Sequence, residues 1–478
     1  MSESSGSPLP TEKEEPASPH SSSSEFKTST VFVNQFQTEA IPAVKQEATP
    51  KGPARRTSKR PGGRARGTHL TQDKAEKVKE LRDIGSCWLC AIQRDECTPG
   101  SPCDRCYKRA LRPQADLILG CDRTKLPDLK DYFIPDVITS MHDTNTLKNF
   151  VNRHIRRFTG NTIRIKFTFI YGLPGLDHDV VEFEPKTNEL LRQFQYIIDP
   201  ATGRQDRVEK ASPPLGITKF DNEDTKIWEK YLNDLVEHHL DGFAEICFED
   251  EPNDFQFRLL KLMCNLKPED KNEKLLLREM FRLLMVTYIM GHTVTIPDAS
   301  REQYLSKLKN FRSAPYGRDC SPRMANRQFK YFFLTLHKEI MNSVLRKLQF
   351  LIRSSKGCTK WTSAFCTILG LAMVLEDQQR TIHLVTDTDF AQGKITAERA
   401  ARQAEDTCRV IDDQFLFLAS LFRWKYNRQF NPLRDGVDKK NEKIFGPRAM
   451  LFINEVDNLV REKCECLPCV IRLPWNVY

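Results

Sequence analysis

Ser86-Cys87-Trp88-Leu89-Cys90 opens a stretch that continues through Ala91-Ile92-Gln93-Arg94-Asp95-Glu96-Cys97 and Ser101-Pro102-Cys103-Asp104-Arg105-Cys106 to Cys121. Its six cysteines follow C-x2-C-x6-C-x5-C-x2-C-x14-C, with no histidine among them. That arithmetic suggests two zinc ions. Two tetrahedral ions need eight ligand places, and six thiolates fill them if two sulfurs each bridge both metals. The Cys87/Cys90 and Cys103/Cys106 pairs have the spacing that lets two sulfurs at the start of a short helix grip one ion, and the next cysteine in each half would close the site. Spacing alone does not assign the bridges. All-thiolate sites also suit iron or iron–sulfur clusters, so zinc is inferred from ligand type.

These residues resemble the fungal binuclear zinc cluster family of transcription regulators, in which two metal-binding halves are related by an approximate twofold axis. Pro102 before the fourth cysteine fits the family. The Leu119-Gly120-Cys121-Asp122-Arg123 ending resembles an ascomycete branch with a long final loop. The resemblance implies that Cys87 and Cys103 bridge, that Cys90 and Cys97 complete one zinc, and that Cys106 and Cys121 complete the other. It implies a sequence-specific, DNA-binding regulator of RNA polymerase II transcription, acting on double-stranded DNA and, through it, with the transcription machinery or its co-regulators. Arg94 falls where the family places a base-reading cation at the end of the first helix, and an arginine can make a bidentate contact to guanine. Gln93, Arg105 and Lys108 would contact bases or phosphates beside it.

Charge is the main departure. Typical members carry several cations between the second and third cysteines, where this chain has only Arg94. Two zinc ions and six thiolates sum to minus two. Arg94, Arg105, Lys108, Arg109 and Arg112 are set against Asp95, Glu96, Asp104 and Asp116, so the module is near neutral or slightly acidic. Phosphate contacts supply most nonspecific affinity, and this cluster alone should bind DNA weakly. The missing cations lie upstream: Lys51, Arg55, Arg56, Lys59, Arg60, Arg64 and Arg66 occur without an acid among them. Interspersed Pro53, Pro61, Gly62 and Gly63 favour an extended arm that could direct nuclear import, track phosphates or enter a minor groove. A solvated linker is the bland alternative.

The chain of 478 residues has a formal charge of +9 and 15 cysteines. It has length for two or three domains. No basic-then-apolar segment follows Met1, so secretion is not expected and the cysteines should be reduced. The longest uncharged stretch, Trp361 to Leu375, is too short to span a bilayer, which makes a soluble, nuclear protein the expectation. Residues 1–70 are rich in Ser, Pro and charge and should be disordered. Within them, Val44-Lys45-Gln46-Glu47 resembles the apolar-Lys-x-acidic pattern of SUMO acceptors, which makes Lys45 a candidate modification site.

A multidomain architecture is therefore expected: a disordered tail with a basic arm (1–70), a helix plus binuclear zinc cluster (71–125), a linker with a small β-rich segment (126–220) and a mainly α-helical C-terminal domain (221–478). Gln72 to Asp83 should form a solvated helix. Residues 122–160 show no sustained apolar heptad, so a coiled-coil dimer is not expected. Ile163, Ile165, Phe167 and Phe169 alternate with Thr162, Arg164, Lys166 and Thr168, the period of a half-buried strand. Val180–Phe183 and Phe194–Ile198 read as its neighbours, with a turn at Leu173-Pro174-Gly175. Ile227, Trp228, Tyr231, Leu232, Leu235 and Val236 mark one helical face. Leu275–Met290, Phe329–Ile352, Trp361–Leu375 and Glu398–Trp424 read as buried helices.

Other features carry less. Cys464, Cys466 and Cys469 lack an evident fourth ligand, His238 and His239 point in different directions on a helix, and Asp177-His178-Asp179 reads as a solvated turn. No phosphate-cradling, dinucleotide or nucleophile-elbow motif occurs, and closed all-cysteine sites leave no open position for catalysis, so an enzyme is not expected. The competing reading is a zinc-stapled protein-interaction module with little sequence-specific DNA binding, favoured by the acids of the first cluster helix.

Overall fold

A computed structural model describes residues 72–112, 119–198, 205–218, 222–249, 253–354, 358–427, 430–437 and 439–466. The tail expected to be disordered, its basic arm and Lys45 lie outside these residues. The described residues form one compact unit.

The unit starts with the exposed helix α1 (Gln72–Ile84), followed by the two cluster helices α2 (Trp88–Gln93) and α3 (Asp104–Ala110). Short helices α4 (Lys130–Phe133), α5 (Asp136–Thr139) and α6 (Thr144–His154) lead into the strands. Strand β1 (Ile155–Phe167) pairs antiparallel with β2 (Leu176–Pro185), with Ile163 opposite Val180 and Phe167 opposite Leu176. The expected alternation holds: Ile163, Ile165 and Phe167 are buried while Thr162, Arg164 and Lys166 face solvent.

Two local readings change. The strand containing Phe194, β3 (Arg192–Ile198), does not join β2; it forms a separate hairpin with β4 (Gln205–Ala211). The third strand beside β2 is the short β5 (Leu215–Gly216). A 3-10 turn at Asn188–Leu191 redirects the chain between β2 and β3, and Phe194 is exposed on the second hairpin. His178 lies on β2 rather than in a turn. Pairing with β1 continues down to Leu176, so His178 falls in phase with Val180 on the inner face. There it meets the ring edges of Trp228 and Phe329.

The helical part comprises α7 (Asn222–His238), α8 (Leu240–Ile246), α9 (Phe255–Asn265), α10 (Lys271–Gly291), α11 (Arg301–Leu305), α12 (Arg323–Ser354), α13 (Trp361–Ala391), α14 (Ala397–Phe422), α15 (Pro432–Asp435), α16 (Lys439–Phe445) and α17 (Pro447–Cys466). A π-helical turn, Arg423–Asn427, continues α14. Helix α10 packs against α7, α12 and α13 and is buried on nearly every side from Leu276 to Ile289, with Glu279 and Arg282 paired within that stretch. Trp228, Tyr231, Leu232, Leu235 and Val236 of α7 are buried as the pattern requires, but Ile227 is exposed because it lies at the edge of that stripe. Phe169 links the layers, with its ring 5.2 Å from Phe329 and 5.5 Å from Trp228. At the crossing of α10 and α13, Gly370 permits close approach: a Cβ there would lie 2.8 Å from Cγ of Met280.

Buried polar groups tie the helices together. His337 of α12 sits with Nε2 3.1 Å from Oγ1 of Thr287 on α10 and 3.2 Å from Nε2 of Gln378 on α13. Glu273 of α10 accepts from Lys360 and Ser363 at the start of α13. On β2, the fully buried Glu182 accepts from the amides of Lys309 and Asn310 and from Nδ2 of Asn161, which pins the loop after α11 to the sheet. A continuous apolar core runs from Cys87 and Trp88 through Phe167 and Trp361 to Leu459. Among the described residues no helix is long and apolar enough to cross a membrane.

Candidate metal centre

Cys87 and Cys103 occupy matching positions in two similar half-motifs. Each is the N-cap of its helix in extended conformation, with φ/ψ of −63/155° at Cys87 and −66/156° at Cys103. Sγ of Cys87 accepts from the Cys90 amide at 3.5 Å, and Sγ of Cys103 from the Cys106 amide at 3.4 Å. The C-x2-C spacing creates this bond, because the third residue of a helix carries an unused N–H pointing back at the cap. The amide of Cys87 donates to Sγ of Cys97 at 3.5 Å, and that of Cys103 to Sγ of Cys121 at 3.2 Å. Each half therefore folds its third cysteine back over its first.

The six thiols, all free, gather into two groups. Cys87, Cys90, Cys97 and Cys103 form one, and Cys87, Cys103, Cys106 and Cys121 the other, with the sulfurs of each group within 4.8 Å of one another. Both groups contain Cys87 and Cys103. The Sγ atoms of Cys87 and Cys106 are 3.6 Å apart, those of Cys90 and Cys103 3.7 Å, and those of Cys87 and Cys103 4.0 Å. A tetrahedral ion with metal–sulfur bonds of about 2.3 Å needs sulfurs roughly 3.8 Å apart, so either group could hold a metal ion. Burial pushes the Cys87 and Cys90 thiols up, and Cys106 to about 11. At Cys103 burial acts the same way, but hydrogen bonds from the Cys106 amide and from neighbouring thiols outweigh it and bring the group down to about 6. Burial thus favours the protonated thiol at Cys87, Cys90 and Cys106, and a bound metal would have to displace those protons.

The surrounding side chains lock the halves together. Asp95 accepts from Arg105 Nε and Arg109 Nη2, each at 3.1 Å, and Gln93 Oε1 accepts from Arg109 Nη2. The acid that dilutes positive charge in the sequence therefore joins α2 to α3. Arg123 donates to the Thr98 carbonyl at 2.6 Å and the Gly100 carbonyl at 3.0 Å, with Nη2 3.6 Å from Cys97 Sγ. It clamps the loop that carries the cis Ser101–Pro102 bond.

Of the residues expected at a DNA surface, Gln93 and Arg105 are drawn into this network. Lys108 is exposed on α3, Arg105 is about half exposed while paired with Asp95, and Gln93 is engaged by Arg109. Arg94 caps α2 in the left-handed conformation, φ 58°, and its Nη2 reaches the Ser354 carbonyl at the end of α12. Arg55, Arg56, Lys59 and Arg60 lie outside the described residues, as does Cys469, while Cys464 and Cys466 end α17.

Sequence reading missed three groups that hold the cluster. Trp88 is fully buried, with Nε1 donating to the Thr124 carbonyl at 2.7 Å. Arg353 of α12 lies over the Trp88 ring at 4.3 Å and donates to Oγ and the carbonyl of Ser86, each at 3.3 Å. Arg123 is the third. Its position just after Cys121 was a usable signal, whereas nothing near Arg353 in the sequence points to a partner 267 residues away.

Neither the search of curated proteins nor that of solved structures finds a match. The model of one family, described as KpeA transcription factor, matches residues 133–468, a span that begins after the last cluster cysteine and covers the strands and the helical body. That span is well over half of the chain, and with the cysteine cluster preceding it the protein belongs to the KpeA transcription factor family.

Proposed function

We propose that this family member is a zinc-dependent, sequence-specific DNA-binding regulator of RNA polymerase II transcription that acts in the nucleus. The observation that carries the reading is the sharing of Cys87 and Cys103 by two four-cysteine groups. Six thiolates then supply two complete tetrahedra, with Cys90 and Cys97 closing one and Cys106 and Cys121 the other. Zinc supplies structure only, since every ligand place is taken. Arg94 reads bases, and Lys108 and Arg105 contact phosphates with help from Arg55, Arg56, Lys59 and Arg60 of the upstream arm. The family membership supports regulation of transcription, and the absence of an open coordination position argues against catalysis at the cluster.

The test uses the full chain, loaded with zinc. Native mass spectrometry should give two zinc ions per chain, and selection from a random duplex pool should enrich a short GC-containing element, an enrichment that Arg94→Ala abolishes without changing metal content. Two zincs with binding that is salt-sensitive but blind to sequence would reject this reading. It would favour an interaction module, the alternative supported by the contacts that Arg94 and Asp95 already make within the protein.

A further inference from the structure

The cysteine cluster does not stand away from the helical body. Arg353, in the last turn of α12, covers Trp88 and bonds Ser86 through two nitrogens. Four residues earlier on the same helix, Gln349 Oε1 accepts from the Leu126 amide at 2.9 Å, just beyond the cluster. Arg94 then falls at the helix end, 3.4 Å from the Ser354 carbonyl. Physical reasons favour the pairing: the last carbonyls of a helix have no internal partner and carry partial negative charge, so they attract a cation.

We propose that α12 holds the cluster in a closed arrangement, in which duplex DNA and the C-terminal end of α12 compete for Arg94 and the face of α2 beside it. This rests on the DNA-binding reading above. For Arg94 to reach base edges, the end of α2 must enter a major groove about 12 Å wide, and a helix end within hydrogen-bond distance of its guanidinium leaves no room for the duplex.

The contact is built to release. The Arg94 bond to the Ser354 carbonyl is long and exposed, and a bond of that geometry is weak. Lys425, in the π-helical turn after α14, lies close enough for Arg94 to depress its pKa further, beyond the effect of burial, and this like-charge approach disfavours the closed state. Beside the apolar contacts of Trp88 and Leu126, the closed state is held by the hydrogen bonds of Arg353 and Gln349, neither of which belongs to the cluster. A signal that moves the last turn of α12, by a ligand or a partner of the body, would free Arg94 without disturbing the metal ligands.

The experiment compares full-length, zinc-loaded wild type with Arg353→Gln and Gln349→Leu, each checked for two bound zincs and a wild-type circular dichroism spectrum. If the closed state predominates, apparent DNA affinity is reduced by the small open fraction, and weakening the closure should tighten binding to a selected duplex by roughly tenfold. Hydrogen exchange of the 86–94 amides should quicken in parallel. The sign is diagnostic, because Arg353→Gln removes a positive charge and would otherwise weaken DNA binding. Equal or weaker binding by both folded variants, with wild type selecting its duplex normally, overturns the closure and leaves the DNA reading intact. If no chain selects any duplex although two zincs are present, the DNA reading itself falls and the competition with it. Should Arg353→Gln misfold, Gln349→Leu decides the outcome alone.

Discussion

Replacing Cys103 by Ser removes a sulfur from both four-cysteine groups, whereas replacing Cys97 or Cys121 removes one from a single group. On the proposed reading, Cys103→Ser should reduce the zinc count from two to below one, while Cys97→Ser and Cys121→Ser each retain about one ion by native mass spectrometry. Acidification should release metal, because protons compete for every thiolate and burial favours the protonated form at Cys87, Cys90 and Cys106. A chelator titration repeated at falling pH would check this, and a pH-independent affinity would contradict thiolate ligation. The gathering of the six cysteines was legible in the sequence, because they lie within one short span and their spacing creates the N-cap geometry. What could not be read was the fate of two polar side chains: Gln93 and Arg105 were placed on a DNA surface by position, but Gln93 accepts from Arg109 and Arg105 donates to Asp95 across the cluster.

Between elements, buried polar groups set the stability. Burial pushes His337 and His142 down to about 3. A histidine so depressed folds as the neutral imidazole and binds its proton only in the unfolded chain between pH 6.5 and its folded value. The contribution is full above pH 6.5 and declines as pH falls below it, by about 1.4 kcal/mol per pH unit for each histidine. Denaturant melts at pH 7.0, 6.0 and 5.0 should show this slope, and His337→Gln should flatten its share. Glu182→Leu removes a charged acceptor from the amides of Lys309 and Asn310 and should cost about 2 kcal/mol by the same method, while Asn161 Nδ2 keeps its bond to the Lys307 carbonyl. The long helices α7, α10, α12, α13 and α14 and the β1 strand were readable from the density and period of their apolar residues, whereas α9 and α17 were not singled out. The assignment of β3 to the first sheet failed because strand pairing is a long-range choice that alternation does not specify, and His178 was misread because its polar neighbours Asp177 and Asp179 alternate outward around an inward-facing ring.

Over the whole molecule, the cluster and the body share one apolar core, joined through Trp88 and Leu126 to α12. Metal removal should therefore lower a common unfolding transition, and calorimetry with and without chelator should show the main peak shifting to lower temperature. A small separate peak that vanishes while the main one stays fixed would mean that the cluster unfolds alone. This union was illegible in the sequence, where the composition changes after the cluster and nothing links Ser86 to Arg353. The same separation has a consequence in time. Ser86 leaves the ribosome 267 residues before Arg353, which at about 5–20 residues per second is roughly 15–50 s of synthesis. Throughout that interval the nascent cluster presents Trp88 without the helix that covers it, and on the proposed reading early capture of metal would order the segment before α12 arrives.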